Sequence, residues 1–591
     1  MKELMYPFDN GLLIKTKKKL KRALLSDGSV RIKKKIAVLG GSTTSDIIAM
    51  LEVFLLEQGI EPEFYESEYA QYWQDAVFSN VELDEFKPDV IFIHTTSRNI
   101  SEKVNPTLDK EDCKEILEKE FLRFKTMWDK LDERFGCPVI QNNFELPAYR
   151  LMGNREAYDS RGMVNFITKL NVKFYDYAES RENFYINDIN YISACYGLDK
   201  WTSLQHWYMY KYAMTLEAVP EFAFNLSNII KSIFGKNKKA IALDLDNTLW
   251  GGVVGDDGVD GIEIGEETPD GQAYREFQSY IKEFKNIGVM LTVCSKNDEE
   301  NAVAGLNHPD CILKPDDFTV IKANWENKDR NIENTASEMS IFSDAFVFLD
   351  DNPAERAIVS SQIGGIAVPE MEGVENYIKT VDRNGFFEVT GFSADDLKRN
   401  EMYMANAKRL QAQNSFENYE EYLLSLEMNA EIGDFKPMYL ARITQLTNKS
   451  NQFNLTTKRY TQTEMEQTFN DENCIRLCGR LEDKFGDNGI VSVVVGRVSE
   501  EIVDIELWLM SCRVLKRDME LAMLDRLCEE AVKKGAKKLR GYYYKTAKNK
   551  MVSSLYETFG FTLVETKDED TVWELSLEGY VNKNKVINVT Y

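Results

Sequence analysis

The run Ile241-Ala242-Leu243-Asp244-Leu245-Asp246-Asn247-Thr248-Leu249-Trp250 constrains this chain more than any other stretch. An apolar segment, Ile241 to Leu243, runs into two aspartates one residue apart and then a threonine. A short continuous apolar run reads as a buried strand of a parallel sheet. Open α/β sheets bind their ligands outside the carboxyl ends of such strands, so Asp244 belongs at a ligand-facing strand end. Two carboxylates crowded there repel each other unless a cation lies between them. One can then attack an electrophile while its neighbour moves a proton.

Companion motifs follow in order. Gly288-Val289-Met290-Leu291-Thr292-Val293-Cys294-Ser295-Lys296-Asn297 is a second apolar run ending in a hydroxyl and a lysine, and Lys328 heads a predicted helix. Ala345-Phe346-Val347-Phe348-Leu349-Asp350-Asp351-Asn352-Pro353 is a third run, ending in paired aspartates. This order of nucleophile, hydroxyl, lysine and acidic pair resembles the four-motif signature of the haloacid dehalogenase (HAD) superfamily. The words Asp244-Leu245-Asp246-Asn247-Thr248-Leu249-Trp250-Gly251-Gly252-Val253-Val254-Gly255, Cys294-Ser295-Lys296-Asn297 and Phe348-Leu349-Asp350-Asp351-Asn352-Pro353 resemble its FkbH-like subfamily. So does Lys449-Ser450-Asn451-Gln452-Phe453-Asn454-Leu455-Thr456-Thr457-Lys458-Arg459-Tyr460. The similarity runs from about Lys35 to about Phe561.

The resemblance implies separate tasks for these residues. Asp244 attacks phosphorus and becomes an aspartyl phosphate, while Asp246 protonates the leaving group and then deprotonates water. Ser295, Lys328, Thr248 and Asn297 are the expected phosphate-binding residues. Asp244, Asp246 (through its carbonyl), Asp350 and Asp351 are the expected ligands of a Mg²⁺ cofactor. Family members are implied to dephosphorylate 1,3-bisphosphoglycerate and load a glyceryl unit onto the phosphopantetheine thiol of an acyl carrier protein. A stand-alone phosphatase for a sugar or glycerate phosphate is the second expectation, and a non-enzymatic scaffold the third. Cys294, beside the hydroxyl motif, is a candidate acyl acceptor, with a buried strand cysteine the commoner explanation.

Bulk properties bound the rest. At 591 residues the chain has room for three to four domains. A net charge of −25 disfavours a general nucleic-acid surface. Nine cysteines without a C-x-x-C pair and only three histidines argue against a disulfide framework or a zinc site. No run reaches the length of a membrane helix, and Met1 to Asn10 lacks a signal-peptide core, so a cytoplasmic protein without membrane association is expected.

The expected fold class is α/β in three domains. Residues 1–34 form a basic arm, read as a solvated amphipathic segment. Residues 35–234 alternate strands such as Ile36–Leu39 and Val90–Ile93 with helices, a parallel sheet resembling SGNH hydrolases or flavodoxin. Ser42 stands where an SGNH nucleophile would, but Gly41 replaces the aspartate that usually precedes it, and His94 and His206 are the only available bases, with His206 the weak candidate. A binding or scaffolding role is therefore expected for this domain. Residues 238–385 are the HAD domain, a Rossmann-like parallel sheet whose glycine-rich stretch after Trp250 is too short for a large cap and reads as a small hairpin flap. Trp250 is expected to anchor that flap, and Glu355 and Arg356 to anchor the helix after the acidic pair. Residues 386–430 are expected to be a helical linker, and 431–580 a mixed α+β domain resembling GNAT acetyltransferases. There Lys516 and Asp518 stand where glycines would meet a pyrophosphate, which disfavours acetyl-CoA. The groove is expected instead to take a carrier protein's phosphopantetheine arm, with the basic cluster Lys533, Lys534, Lys537, Lys538, Arg540, Lys545, Lys548 and Lys550 meeting an acidic carrier. A solvated helix face explains that cluster equally well.

Overall fold

The computed structural model describes residues 1–391, 405, 409, 412, 416, 418–450, 452–511, 514–546 and 548–590. Part of the expected linker, including Ala394 to Arg399, lies outside the described residues. They divide into two compact units, Met1–Lys236 with Glu388–Thr390, and Asn237–Phe387 with Gly391–Tyr591.

The first unit is built on five parallel strands: β1 (Ile32–Gly40), β2 (Ile60–Glu66), β3 (Val90–His94), β4 (Val139–Asn142) and β5 (Phe184–Asn187), in the order β2-β1-β3-β4-β5. The order in which strands are added reverses between β1 and β3, where Gly40 lies opposite His94. Alternate strand residues face two separate cores, as period-two side chains must. Ile36, Val38 and Phe92 pack with the helices Ser45–Glu57 and Val219–Ile233, while Ala37, Ile91 and Ile93 pack with Lys110–Phe135 and Met163–Glu179. The basic arm is a helix, Asn10–Leu25, N-capped by Asp9. Its Leu13 and Leu24 are buried in the first core, and Lys21 pairs with Glu52 at 2.7 Å, so its apolar face is docked and its lysines border the Ser45–Glu57 helix.

The second unit opens with a four-stranded parallel sheet of β6 (Ala240–Leu243), β7 (Met290–Ser295), β8 (Val320–Ala323) and β9 (Phe346–Leu349), ordered β8-β7-β6-β9. β6 is flanked on both sides, which is why Ile241, Ala242 and Leu243 are an unbroken apolar run. Burying each side chain of leucine size contributes about 1.5–3 kcal/mol, enough to fix the register that brings Leu243 level with Val293 and Leu349.

A mixed sheet follows: β10 (Asn429–Gly433), β11 (Phe453–Asn454), β12 (Cys474–Asp483), β13 (Gly486–Ser499), β14 (Ile502–Met510), β15 (Lys538–Tyr543), β16 (Thr562–Lys567), β17 (Asp570–Ser576) and β18 (Asn588–Thr590). Its order is β16-β17-β15-β14-β13-β12-β10-β18, with β11 on β14. β13 and β14 are antiparallel, whereas β14 and β15 are parallel and joined through the helix Met519–Lys533. Two parallel-sheet α/β layers and a mixed α+β region are the expected architecture. Ahead of that helix Lys516 and Asp518 adopt φ of 61° and 58°. The backbone there takes the left-handed form that glycine favours, although the side chains differ.

Candidate active site

The expected site residues of the second unit gather at the carboxyl ends of β6, β7 and β9, with Lys328 entering from the helix that follows β8. Asp244 leaves β6 with its amide donating to the Leu349 carbonyl at 3.0 Å, which holds it beside the acidic pair after β9. Asp244, Asp350 and Asp351 each place a carboxylate oxygen within 4.8 Å of the others. Lys328, at the head of the Lys328–Glu338 helix, reaches into this cluster: its Nζ lies 3.0 Å from Asp244 Oδ2 and 2.5 Å from Asp350 Oδ2.

The electrostatics follow from burial and like charge. Burial and the neighbouring Asp244 push the Asp350 carboxyl up to about 7, outweighing the Lys328 ammonium. Burial alone would depress the Lys328 ammonium, yet Asp244 and Asp350 more than offset it and hold it protonated above the ordinary lysine range. Burial and Asp244 likewise raise Asp351. Three carboxylates with one ammonium leave a surplus of negative charge, and their oxygen donors suit a hard divalent ion such as Mg²⁺.

Asp246 is held apart from the cluster by its own donors. The Trp250 indole N–H and the Val254 amide donate to its Oδ1 at 3.0 and 3.1 Å, and Asn297 Nδ2 donates to Oδ2 at 3.0 Å. Burial raises its carboxyl above the usual range. Trp250 is fully buried against Gly305, where an added Cβ would stand 2.9 Å from the indole. The segment after it is no strand hairpin: a short helix, Val254–Asp257, and a 3-10 turn, Val259–Gly261, are closed by the mutual Gly251 and Glu263 backbone bonds. Six glycines from Gly251 to Gly265 favour tight turns over strand extension there.

The remaining expected residues fall as follows. Ser295 ends β7, buried, with its carbonyl accepting from the Asn324 amide at 3.2 Å. Thr248 is buried, its hydroxyl accepting from the Asp351 amide at 3.2 Å, so it braces the acidic loop. Asn297 spends its amide on Asp246. Cys294 is buried in the core beside Ile332 and Ala336; its thiol donates to the Lys328 carbonyl at 3.5 Å, and burial pushes its pKa up, which favours the unreactive thiol. Glu355 pairs with Lys296 at 2.6 Å, and Arg356 donates to the carbonyls of Asp350 and Asp351 at 2.9 and 2.6 Å, so this arginine orients the acidic loop. Ser42 and His206 belong to the other unit.

Two residues escaped the sequence reading. The hydroxyls of Tyr274 and Tyr377 both donate to the Asn247 carbonyl, at 3.3 and 3.2 Å. Asn247 has a φ of 55°, a left-handed link between Asp246 and Thr248, and its own Oδ1 accepts from the Gly252 amide at 3.0 Å. No local pattern announces this clamp, since the tyrosines stand 27 and 130 residues away. In the mixed-sheet region six of the eight residues of the expected basic docking cluster are matched by carboxylates, and Lys534 donates to the Glu472 carbonyl. Lys533 meets Glu530, Lys537 meets Glu501, Lys538 and Arg540 meet Glu574, Lys545 meets Glu569 and Lys548 meets Asp344.

Residues 35–231 match the model of the FkbH N-terminal domain family. The chain is 31% identical to the N-terminal part of the protein BF1531 from Bacteroides fragilis, whose crystal structure contains a phosphatase domain complexed with Mg. The likeness covers 64% of this chain and 99% of that one, with a TM-score of 0.59. About 25% of this chain also overlays the ribosomal-protein-S18-alanine N-acetyltransferase from Escherichia coli (13% identity, 94% of that chain, TM-score 0.20). A GNAT-family acetyltransferase from Streptococcus pneumoniae overlays to the same extent (14% identity, 99% of that chain, TM-score 0.20). Scores that low bear on neither ligand nor activity. No curated protein matches the sequence.

Proposed function

The chain belongs to the FkbH family, and from that premise we propose that its second unit is a Mg²⁺-dependent phosphatase working through an aspartyl phosphate on Asp244. The observation that carries this reading is the convergence of three carboxylates and the Lys328 ammonium at the ends of β6 and β9. Asp244, Asp350 and Asp351 would hold the metal, whose oxygen-only donor set they supply. A bound divalent ion there offsets the charge of the carboxylates and the incoming phosphate.

The chain's own residues account for the steps. A carboxylate oxygen of Asp244 attacks phosphorus, and the bond to the leaving oxygen breaks. Asp246, raised by burial and oriented by Trp250, Val254 and Asn297, gives that oxygen its proton. The same carboxylate then takes a proton from water as the water attacks phosphorus, which frees Asp244 and inorganic phosphate. Lys328 balances negative charge on the phosphoryl oxygens, with Ser295 beside it. Arg356 and Thr248 keep the acidic loop in place.

For the substrate, the motif words support a glycerate-type phosphate, 1,3-bisphosphoglycerate, with the glyceryl unit loaded onto a carrier protein's phosphopantetheine thiol. A stand-alone phosphatase for a sugar or glycerate phosphate is the second reading, favoured by one observation: most of the basic residues expected to meet a carrier are already paired with carboxylates. Incubation with 1,3-bisphosphoglycerate, Mg²⁺ and a phosphopantetheinylated carrier, followed by weighing the carrier in a mass spectrometer, separates the two. A glyceryl adduct supports loading; phosphate release with an unmodified carrier supports the stand-alone enzyme. Retention of phosphate on substrate in every condition overturns both.

A further inference from the structure

The first unit carries a second constellation, at the point where its strand order reverses. In open sheets of this strand order ligands bind in the crevice between the two strands at that switch. The crevice here lies between β1 and β3, and the chain leaving β1 reads Gly40-Gly41-Ser42-Thr43-Thr44 before the Ser45–Glu57 helix begins. Gly41 permits close approach: a Cβ there would lie 2.5 Å from Asn99. The helix starts without a side-chain cap, so its first amides point toward the loop unsatisfied.

Two buried polar atoms, one just after β1 and one at the end of β3, have no hydrogen-bond partners, although the His94 ring packs on Phe92 and Phe222. The Ser42 hydroxyl, in a residue 2% exposed, makes no hydrogen bond, and neither does Nε2 of His94, which is 0% exposed. Buried polar groups left unmatched are rare and mark an absent partner. A chain of amides fixes what His94 offers. Asn225 donates to Asn187 at 2.8 Å, Asn187 donates to Asn142 Oδ1 at 2.8 Å, and Asn142 Nδ2 then lies 2.9 Å from His94 Nδ1. An amide nitrogen can only donate, so Nδ1 accepts and the proton sits on Nε2. Burial depresses this imidazole to about 3, which keeps it neutral. A one-way relay thus ends in an N–H donor with nothing to receive it.

Above the loop lies the Leu204–Tyr210 helix, none of whose residues is buried. It is held by polar contacts: the Thr43 amide and hydroxyl donate to the Lys211 and Tyr210 carbonyls at 3.1 and 2.7 Å, and Arg98 stacks on Trp207 at 4.5 Å. Nδ1 of His206 on this helix is also enclosed and unpartnered. A cover with no buried side chain opens at little cost. The first-turn Asp46 is engaged by Lys17 and Tyr212, while Glu66 accepts from Thr44 at 2.5 Å. The unspent groups are therefore the Ser42 and His94 donors and the helix amides.

We infer that this crevice is a second ligand site, in which the Ser42 hydroxyl, the His94 Nε2–H and the amino end of the Ser45–Glu57 helix bind an oxyanion group of a small molecule beneath the Leu204–Tyr210 cover. Carboxylate and phosphate oxygens share this chemistry, and the experiment separates them. Hydrogen–deuterium exchange of the full chain is followed by mass spectrometry in chloride, in acetate and in inorganic phosphate at equal ionic strength. Binding slows exchange through local opening by 1 + [L]/Kd, about threefold at twice the dissociation constant. The expected result is protection confined to peptides spanning 42–48 and 204–212, lost in Ser42→Ala and in His94→Phe. Protection by acetate alone assigns a carboxylate ligand, and by phosphate alone a phosphate ester. Phosphate held at the aspartate cluster registers on different peptides, around Asp244, so failure here and failure of the phosphatase reading are separate outcomes. Unchanged exchange of both segments in both anions, which is the behaviour of a chamber filled only by water, overturns the inference. So does protection that survives both substitutions in folded variants.

Discussion

Replacing Lys328 by methionine, which keeps most of the side-chain volume while deleting the charge, tests the electrostatics of the aspartate cluster directly. The ammonium lies 3.0 Å from Asp244 and 2.5 Å from Asp350, with side-chain exposures of 3%, 10% and 0% for the three residues. At an effective dielectric of about 20, a contact near 3 Å is worth about 5 kcal/mol of attraction. The cost of burying the ions offsets part of that, and removing one member of a buried ionic group costs about 3–5 kcal/mol overall. For a domain of roughly 150 residues this corresponds to a melting temperature about 6–20 °C lower in EDTA. Mg²⁺ supplies positive charge to the same carboxylates, so it should restore much of the lost stability. Turnover should not follow, because the charge facing the phosphoryl oxygens is gone; kcat toward an aryl phosphate should fall about 10²–10³-fold. A melt in EDTA within about 2 °C of the unsubstituted protein, together with kcat within tenfold, would refute the reasoning.

Other outcomes follow from the same geometry. Asp244→Asn should fold yet lose turnover by at least about 10⁴-fold, and no acid-stable, base-labile phosphate should appear on the chain by mass spectrometry. Asp246→Asn should lower kcat by about 10²–10⁴-fold, with the deficit growing across a series of increasingly basic leaving groups. Asp350 binds its proton more tightly folded than unfolded, so the stability it contributes is complete below about pH 4 and is lost as pH rises through about 7. Metal-free melts should therefore fall between those pH values, and the Asp350→Asn variant should lack that component of the slope. Replacing Tyr274 and Tyr377 together by phenylalanine should reduce kcat about tenfold or more at nearly unchanged KM, since a misplaced reacting group costs rate before affinity; equal kcat with a lowered melt would assign the tyrosines to stability alone.

What the sequence disclosed and what it concealed divide along a physical line. The runs 241–243, 290–295 and 346–349 were legible because a parallel strand buried on both faces must be apolar throughout, and the polar residue ending each run marks the carboxyl end of the strand. The strands 490–495 and 502–509 were legible by the same token and lie within β13 and β14. Val320–Ala323 was not, since a strand of four residues, only one of them buried, carries little pattern. Within the site, Asp244, Asp350 and Lys328 could be placed from strand ends and a helix start. The partners that orient them could not. The paired tyrosines on Asn247 are long-range hydrogen bonds set by tertiary packing, while the Trp250 bond to Asp246 and the Arg356 bonds to the acidic loop span four to six residues into irregular turns that carry no helical or strand periodicity. Thr248 and Asn297 show the same limit: residue type placed them at the site, but only the fold decides that they brace neighbouring residues. The lysines from 533 to 548 looked like a surface field until the fold set against most of them glutamates and an aspartate from the same helix, from turns and from Asp570–Ser576.

The indole of Trp250 links two tasks that are usually separable. It is the hinge post of the loop that follows β6, and its N–H steers the carboxyl of Asp246. A swing of that loop away from Gly305 would drag the ring along and leave the carboxyl without its guide. Proton delivery would then lapse whenever the mouth is ajar, so bulk water reaching Asp244 at such moments would find no partner to activate it. Protection of the covalent intermediate and readiness to react would thus be governed by the seating of one aromatic ring.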